Sequence, residues 1–136
     1  MRISGQCLCG DVCYQADAEP QFQVKCYCTD CRKVSAAGHA AMMGLPTGAV
    51  QITGETKAFH SKADSGADVT RAFCPRCGAG VYARNAAMPG MIFMRASTLD
   101  DPSLFAPQLV VYASRAPAWD PVSPALPTFA EGPTRA

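Results

Sequence analysis

The chain has 136 residues, with 12 Lys and Arg against 11 Asp and Glu and a formal net charge of +1. This length predicts one domain with a single core over residues 1–136. The near balance of charge argues against the clustered basic face that nucleic-acid binding needs. No stretch of the sequence reaches the roughly 18 apolar residues of a membrane span.

Short runs of strand-forming residues, mostly separated by Gly, Pro, Asp and Asn, predict an all-β domain of short strands. The candidate strands are residues 12–16, 22–26, 49–53, 56–60, 69–74, 80–84, 91–96 and 109–113. Only residues 29–37 read as helical, over one or two turns. Thr29 or Asp30 is the predicted N-cap, because both side chains can accept a backbone hydrogen bond there.

The segment from about Asp101 onward is a proline-rich tail that contains 7 of the 11 prolines. Proline cannot donate to a sheet ladder, so this tail is predicted to wrap the surface rather than enter a sheet interior. Trp119, Leu126 and Phe129 are its predicted anchors, and the final residues are expected to be loosely held.

Seven of the eight cysteines fall into three groups. The groups are Cys7 with Cys9, then Cys26 with Cys28 and Cys31, then Cys74 with Cys77. An even number of cysteines also permits a disulfide framework, but such close spacings are more typical of metal ligands. The first residues contain no apolar core of a secretory signal, so we expect a cytoplasmic protein whose thiols stay reduced.

The C-P-R-C-G run around Cys74 and Cys77 has the pattern of a zinc knuckle. Pro75 restricts the turn, and Gly78 allows the positive φ that closes it. Backbone amides in such a turn can point at the sulfur atoms and stabilise their negative charge. The alternative, a redox C-x-x-C, lacks the following helix that would activate a thiol.

A knuckle supplies two ligands and needs two more. Cys7 and Cys9 are the expected source, because residues i and i+2 of an extended strand point to the same side. Gly10 then leaves room for a tight turn. The resulting four-thiolate zinc site would be closed and structural, although the spacing also allows Cys74 and Cys77 to join two cysteines of the middle group.

Cys26, Cys28 and Cys31 can all reach one ion, because they follow a strand end and the turn after it. Three thiolates leave one position of a tetrahedral zinc site open. Two alternatives remain at this point, namely closure of the site by His39 and the absence of a stable metal.

An open three-thiolate zinc site carries a net charge near −1 and favours a soft ligand such as an exogenous thiol, which zinc holds as the reactive thiolate. The chemistry that this predicts is addition of a small thiol to an electrophile, or the reverse cleavage of a carbon–sulfur bond.

Six segments together resemble the glutathione-dependent formaldehyde-activating enzyme family, which includes centromere protein V. The segments are G-Q-C-L-C-G at 5–10, C-Y-C-T-D-C-R-K at 26–33, F-C-P-R-C-G at 73–78, S-T-L-D-D-P at 97–102, P-A-W-D-P at 117–121 and L-P-T-F at 126–129. The resemblance therefore covers nearly the whole chain.

The resemblance implies a β-tent fold, shared with Rab-binding zinc chaperones, and two zinc ions per chain. It places a structural zinc on the four outer cysteines and a catalytic zinc on the middle three, which are Cys7, Cys9, Cys74 and Cys77 and then Cys26, Cys28 and Cys31. The activity that it implies joins glutathione to formaldehyde, as a carbon–sulfur lyase run in reverse.

Few other residues are candidates for substrate contacts. Arg32 could bind a carboxylate of a glutathione-like thiol, and Tyr27, between two ligands, could flank the pocket. Arg71 and Arg95 are weaker candidates. Two other functions stay open on the same scaffold, namely a non-catalytic thiol or metal carrier and a protein-interaction module.

Overall fold

The computed structural model describes residues 1–132, and β-strands dominate this part of the chain. The strands are β1 (Arg2–Gln6), β2 (Cys13–Asp17), β3 (Phe22–Cys26), β4 (Ala40–Pro46), β5 (Val50–Thr53), β6 (Lys57–Lys62), β7 (Asp68–Phe73), β8 (Gly80–Asn85), β9 (Met91–Arg95) and β10 (Leu109–Val111). The α-helix α1 spans Thr29–Ser35. The expectation of loosely held final residues falls partly on 133–136, outside the described residues.

The strands form two sheets. The smaller has the order β1-β2-β5, and the larger has the order β10-β3-β4-β9-β8-β7-β6. All strand pairs are antiparallel except β10, which runs parallel to β3. This arrangement confirms the all-β class of short antiparallel strands that is expected of a β-tent. Within residues 1–132, no helix is long and apolar enough to cross a membrane.

The main core lies between the two sheets. Alternate residues of β1 and β2 are buried, which turns Ile3 and Tyr14 inward from the small sheet. Met43 and Leu45 of β4 and Ile92 of β9 meet them from the large sheet. All five side chains are no more than 3% exposed, so this face of the large sheet is committed to packing.

A second, smaller cluster of buried residues lies apart from the main core, beside α1. It consists of Val24, Cys26, Cys31, Ala40 and Val111, with Phe129 of the tail packed against it. Cys7 and Cys74 pack into the main core instead. The outer cysteine pairs and the middle cysteine group therefore lie in different parts of the protein interior.

Strand β4 was not predicted from the sequence, nor was β1. The β4 sequence A-A-M-M-G-L-P contains no β-branched residue and no clean alternation, so strand propensity gives little signal. It is a strand because it pairs on one side with β3 and on the other with β9. Non-local pairing has here overridden local preference.

The prediction that Trp119 anchors the tail is wrong, because its side chain is 69% exposed. The neighbouring Asp120 attaches this part of the tail instead, through a hydrogen bond between its Oδ2 and the ring of His39. Phe129 does pack inward as predicted, and its N–H donates to the carbonyl of Val110. Polar contacts hold the first part of the tail, and backbone pairing holds the second.

Gly54, which follows β5, has φ +102 and lies against the Asp11 carbonyl oxygen, where a Cβ would collide. Gly66 also has positive φ, at +89, but has open space around it. We expect Gly66→Ala to lower the free energy of unfolding by about 1 kcal/mol, from backbone strain alone. Gly54→Ala should lower it by about 3 kcal/mol, since the Asp11 backbone must also move.

Urea unfolding followed by circular dichroism, at equal zinc content, measures both changes. An equal loss in the two variants would mean that the close approach of Gly54 to Asp11 contributes nothing to stability.

Candidate metal centres

The first cysteine cluster brings together the two outer pairs. The Sγ atoms of Cys7, Cys9, Cys74 and Cys77 all lie within 4.8 Å of one another. The Cys9 Sγ is 3.7 Å from the Cys7 Sγ and 3.7 Å from the Cys74 Sγ. Zinc–sulfur bonds of about 2.3 Å in a tetrahedron place sulfur atoms about 3.8 Å apart. The cluster therefore has the dimensions of a four-thiolate metal site.

Two glycine-closed turns present these sulfurs. The Gly10 N–H donates to the Cys7 carbonyl at 3.2 Å, and the Gly78 N–H donates to the Cys74 carbonyl at 2.8 Å. Both glycines have positive φ, at +85 and +78. The expectation for Gly78 is thus confirmed. The expectation that Cys7 and Cys9 share an extended strand is wrong, because β1 ends at Gln6 and the Gly10 turn begins immediately.

Backbone amides donate to the sulfur atoms of this cluster. The Val12 N–H donates to the Cys7 Sγ at 3.3 Å, and the amides of Arg76 and Cys77 donate to the Cys74 Sγ at 3.4 and 3.5 Å. A hydrogen bond from the Ala79 backbone is the main cause that lowers the pKa of Cys77, to about 6. These bonds favour the thiolate form that metal binding requires.

The second cluster consists of Cys26, Cys28 and Cys31, whose sulfur atoms also lie within 4.8 Å of one another. Cys26 ends β3, and Cys28 and Cys31 flank the first turn of α1. Cys28 is the N-cap of the helix, because its Sγ accepts the Cys31 N–H at 3.3 Å. The predicted caps Thr29 and Asp30 are therefore wrong, and the thiolate acts as the capping acceptor.

The three sulfurs differ in their preference for the charged form. Hydrogen bonds from the thiols of Cys26 and then Cys31 lower the pKa of Cys28 to about 2, and Arg71 contributes further. The same contact with Cys28 raises the pKa of Cys26. Three thiolates this close together therefore need a nearby positive charge, which a bound metal ion would provide.

A cavity of about 230 Å³ opens beside the second cluster, over the face of the large sheet that is turned away from the main core. The three cysteines are part of its wall. Apolar side chains form much of the rest, notably Phe22, Val24, Met42 and Phe93. The volume is below the roughly 300–1,000 Å³ of a drug-sized pocket, so it fits a small ligand or part of a larger one.

Charged side chains also line this cavity. Arg95 is only 6% exposed, and Arg71 is half-buried, with its Nη1 donating to the Ser61 Oγ at 2.9 Å. Arg115, at the rim, forms an ion pair with Asp64 and lies over the Tyr112 ring. Arg71 and Arg95 are weak candidates on sequence evidence, and only the sheet order brings them to the cysteines.

His39 is not a fourth ligand of the second cluster in this arrangement. Its Nδ1 is 2.6 Å from the Asp120 Oδ2, and its ring packs 4.9 Å from the Tyr27 ring. Within residues 1–132, no His, Asp or Glu joins the three cysteines of the second cluster. The structure thus provides three protein ligands there and a neighbouring cavity.

Neither Tyr27 nor Arg32 lines the cavity. Tyr27 is 1% exposed, and its hydroxyl donates to the Asp120 Oδ1 at 3.4 Å. Arg32 lies half-buried within α1. Their predicted contacts with substrate stay predictions, while Arg71, Arg95 and Tyr112 do line the cavity.

Known proteins resemble this chain in fold and in sequence. A solved structure of a Rhodobacter sphaeroides protein, from a structural genomics programme, superimposes with a TM-score of 0.60 at 15% identity, covering 93% of this chain and 98% of that one. No curated protein matches the sequence. The sequence profile of the glutathione-dependent formaldehyde-activating enzymes matches residues 2–115, and the chain therefore belongs to that family.

Proposed function

We propose that this chain is a zinc-dependent carbon–sulfur lyase that adds glutathione, or a similar thiol, to formaldehyde or another small electrophile. Family membership supports the reaction class. The observation that carries the proposal is the second cluster, in which three cysteines adjoin a cavity without a fourth His, Cys, Asp or Glu ligand among residues 1–132.

The proposal assigns a different role to each cluster. The first cluster would hold a structural zinc, since its four sulfurs are spaced for a closed tetrahedral site. The second would hold the catalytic zinc on Cys26, Cys28 and Cys31. Thiolate ligands suit zinc in both, because soft sulfur donors select it over hard cations such as magnesium.

Cys26, Cys28 and Cys31 would hold a zinc ion with one coordination position open, and the ion would stabilise a substrate thiol in its nucleophilic thiolate form. The chain's own residues do the rest. Buried Cys26 and Cys31 hold the reacting centre against the sheet, and Phe22, Met42 and Phe93 exclude water from one side of the cavity. In the addition, the sulfur–carbon bond forms while the carbonyl oxygen takes up the thiol proton; the lyase direction reverses both.

The proposal also covers substrate contacts, location and partners. Arg32 and Tyr27 are proposed contacts for the thiol substrate, from the sequence motif alone. The chain is proposed to act as one domain in the cytoplasm, with small-molecule partners and without nucleic acid or membrane.

Substitution of one ligand tests the assignment of the second cluster. We expect Cys28→Ala to retain one zinc per chain and its far-ultraviolet circular dichroism, but to lower thiol-dependent turnover at least about 100-fold, since the metal site loses a ligand. Elemental analysis and an exchange assay by nuclear magnetic resonance measure the two effects. Cys13→Ala is the matched control, because Cys13 belongs to neither cluster and should retain both ions. Loss of all zinc in Cys28→Ala would contradict the division of roles.

Cys74→Ala is expected to behave differently. This substitution removes a fully buried sulfur of the first cluster, and metal binding at such sites contributes directly to folding. We expect an unfolded or strongly destabilised protein by circular dichroism. A folded, active Cys74→Ala would show that the first cluster is not structural.

His39→Ala tests whether an imidazole closes the second site. Because the His39 Nδ1 is engaged by Asp120, we expect the variant to keep two zinc ions and to lose only about 1 kcal/mol of stability with that hydrogen bond. Elemental analysis and thermal unfolding give both quantities. A drop to one zinc ion would identify His39 as a ligand and would remove the open position.

A cobalt-substituted protein reports on the open position directly. Glutathione is expected to change the visible absorption of the ion in the second cluster, since a fourth sulfur completes its tetrahedron. The Cys28→Ala protein, loaded in the same way, is the control and should show no such change. An unaltered wild-type spectrum at saturating glutathione would rule out the thiol as the fourth ligand.

A further inference from the structure

Arg95, on β9, combines burial with an unpaired hydrogen-bond donor. Its side chain lines the cavity and is only 6% exposed. Its Nη1 has no hydrogen-bond partner among residues 1–132. A buried charged donor without an acceptor is costly, and an oxygen of a bound ligand would satisfy it. Formaldehyde is a neutral molecule with one oxygen, so it has no negative charge to pair with a buried guanidinium.

Arg71, on β7, adds a second positive charge at the same place. Both guanidiniums belong to the lining of one cavity of about 230 Å³. Both lie on the cavity face of the sheet, at alternate positions after Val69 and Phe93 respectively. Two neighbouring cations that share one cavity favour an anion between them, because it relieves their repulsion.

The remaining charges of the cavity do not neutralise this pair. Asp64 is engaged by Arg115 at the rim. Asp30 lies in the first turn of α1, and exposed Arg84 lies over the Tyr82 ring, 5.6 Å from its centroid. Four guanidiniums line the cavity, against two carboxylates and a three-thiolate site whose net charge with a divalent ion bound is near −1, so the lining keeps a net positive charge.

We propose that the electrophile of this enzyme is an aldehyde that carries a carboxylate on its reacting carbon, a 2-oxo acid of the glyoxylate class, with the carboxylate bound between Arg71 and Arg95. The inference rests on the proposed function and names its second substrate. A single guanidinium can bind a carboxylate through two parallel, charge-assisted hydrogen bonds, and here two guanidiniums are available.

Position favours the electrophile over the thiol as the source of the carboxylate. Arg71 and Arg95 line the same cavity as Cys26, Cys28 and Cys31, so both guanidiniums share one small space with the sulfur cluster. An anion bound to them lies close to the reacting atoms. In a 2-oxo acid, the carboxylate is attached to the reacting carbon, whereas both carboxylates of glutathione are many bonds from its sulfur.

The step balances without a further reagent. The thiolate sulfur forms a bond to the aldehyde carbon, the π electron pair moves to the carbonyl oxygen, and the proton released by the thiol ends on that oxygen. The product is a hemithioacetal that retains the carboxylate, and nothing is oxidised or reduced.

Binding without thiol tests the carboxylate site independently of turnover. Glyoxylate is titrated into the zinc-loaded protein by calorimetry. Arg71→Gln should weaken binding by roughly 10- to 100-fold, as expected for loss of a charge-assisted hydrogen bond. Arg2→Gln removes the same charge from an exposed position outside the cavity and should bind as the wild type does. Equal affinity in wild type and Arg71→Gln would overturn the proposal. Arg95→Lys keeps the charge but loses the fork, and should also bind more weakly.

Turnover distinguishes the sources of the carboxylate. Exchange between free aldehyde and hemithioacetal is measured for glyoxylate, its neutral methyl ester and formaldehyde, first with glutathione and then with N-acetylcysteamine, which has no carboxylate. We expect glyoxylate to exceed the ester at least about tenfold in kcat/KM with both thiols, and Arg71→Gln to lose this preference through a raised KM. If Arg71→Gln raised the KM for glutathione and left the KM for glyoxylate unchanged, the arginines would be assigned to the thiol and the proposal would be overturned.

The two hypotheses fail separately. Equal kcat/KM for glyoxylate and its ester would overturn the carboxylate inference and leave the lyase in place. Absence of thiol-dependent turnover with all three carbonyl compounds, together with Arg71-dependent binding of glyoxylate, would overturn the proposed function while supporting the carboxylate site.

Discussion

The convergence of four cysteine sulfurs from two turns, with 64 residues between Cys9 and Cys74, is the constraint on which the rest of the structure depends. One turn follows β1 of the small sheet, and the other follows β7 of the large sheet. The cluster therefore joins the two sheets at one end of the core between them. Without a cation, four thiolates at such distances would repel one another. This junction between the sheets therefore requires a bound cation in addition to the two turns that bring the sulfurs together.

The large sheet uses its two faces for different purposes. On β4, Met43 and Leu45 face the core, while Met42 faces the cavity. On β9, Ile92 and Met94 pack inward, while Phe93 and Arg95 line the cavity. Because side chains alternate along a strand, one backbone supports both the packed core and the polar site. The cavity is therefore supported by strands that packing already holds in place.

The cysteine groups were readable from the sequence because close ligand spacing is a local property. The bounds of β3, Phe22–Cys26, were likewise predictable from local alternation. The position of Arg71 and Arg95 was not, since it depends on β7, β8 and β9 being neighbours in the sheet. Strand β4 was not predicted for the same reason, because its pairing with β3 and β9, rather than its local propensity, makes it a strand. The exposed Trp119 shows that an aromatic side chain in a proline-rich segment is weak evidence of burial.

The Cys28 cap links the order of α1 to metal binding by the second cysteine cluster. A helix of seven residues is too short to persist by itself in water, and here the N–H of its third residue, Cys31, donates to the same Cys28 sulfur that would bind the ion. Ordering of this wall of the cavity and occupancy of the cluster are therefore linked equilibria. A chain without an ion in the second cluster would therefore also lack part of what orders this wall, so metal occupancy would set the fraction of chains with a formed cavity.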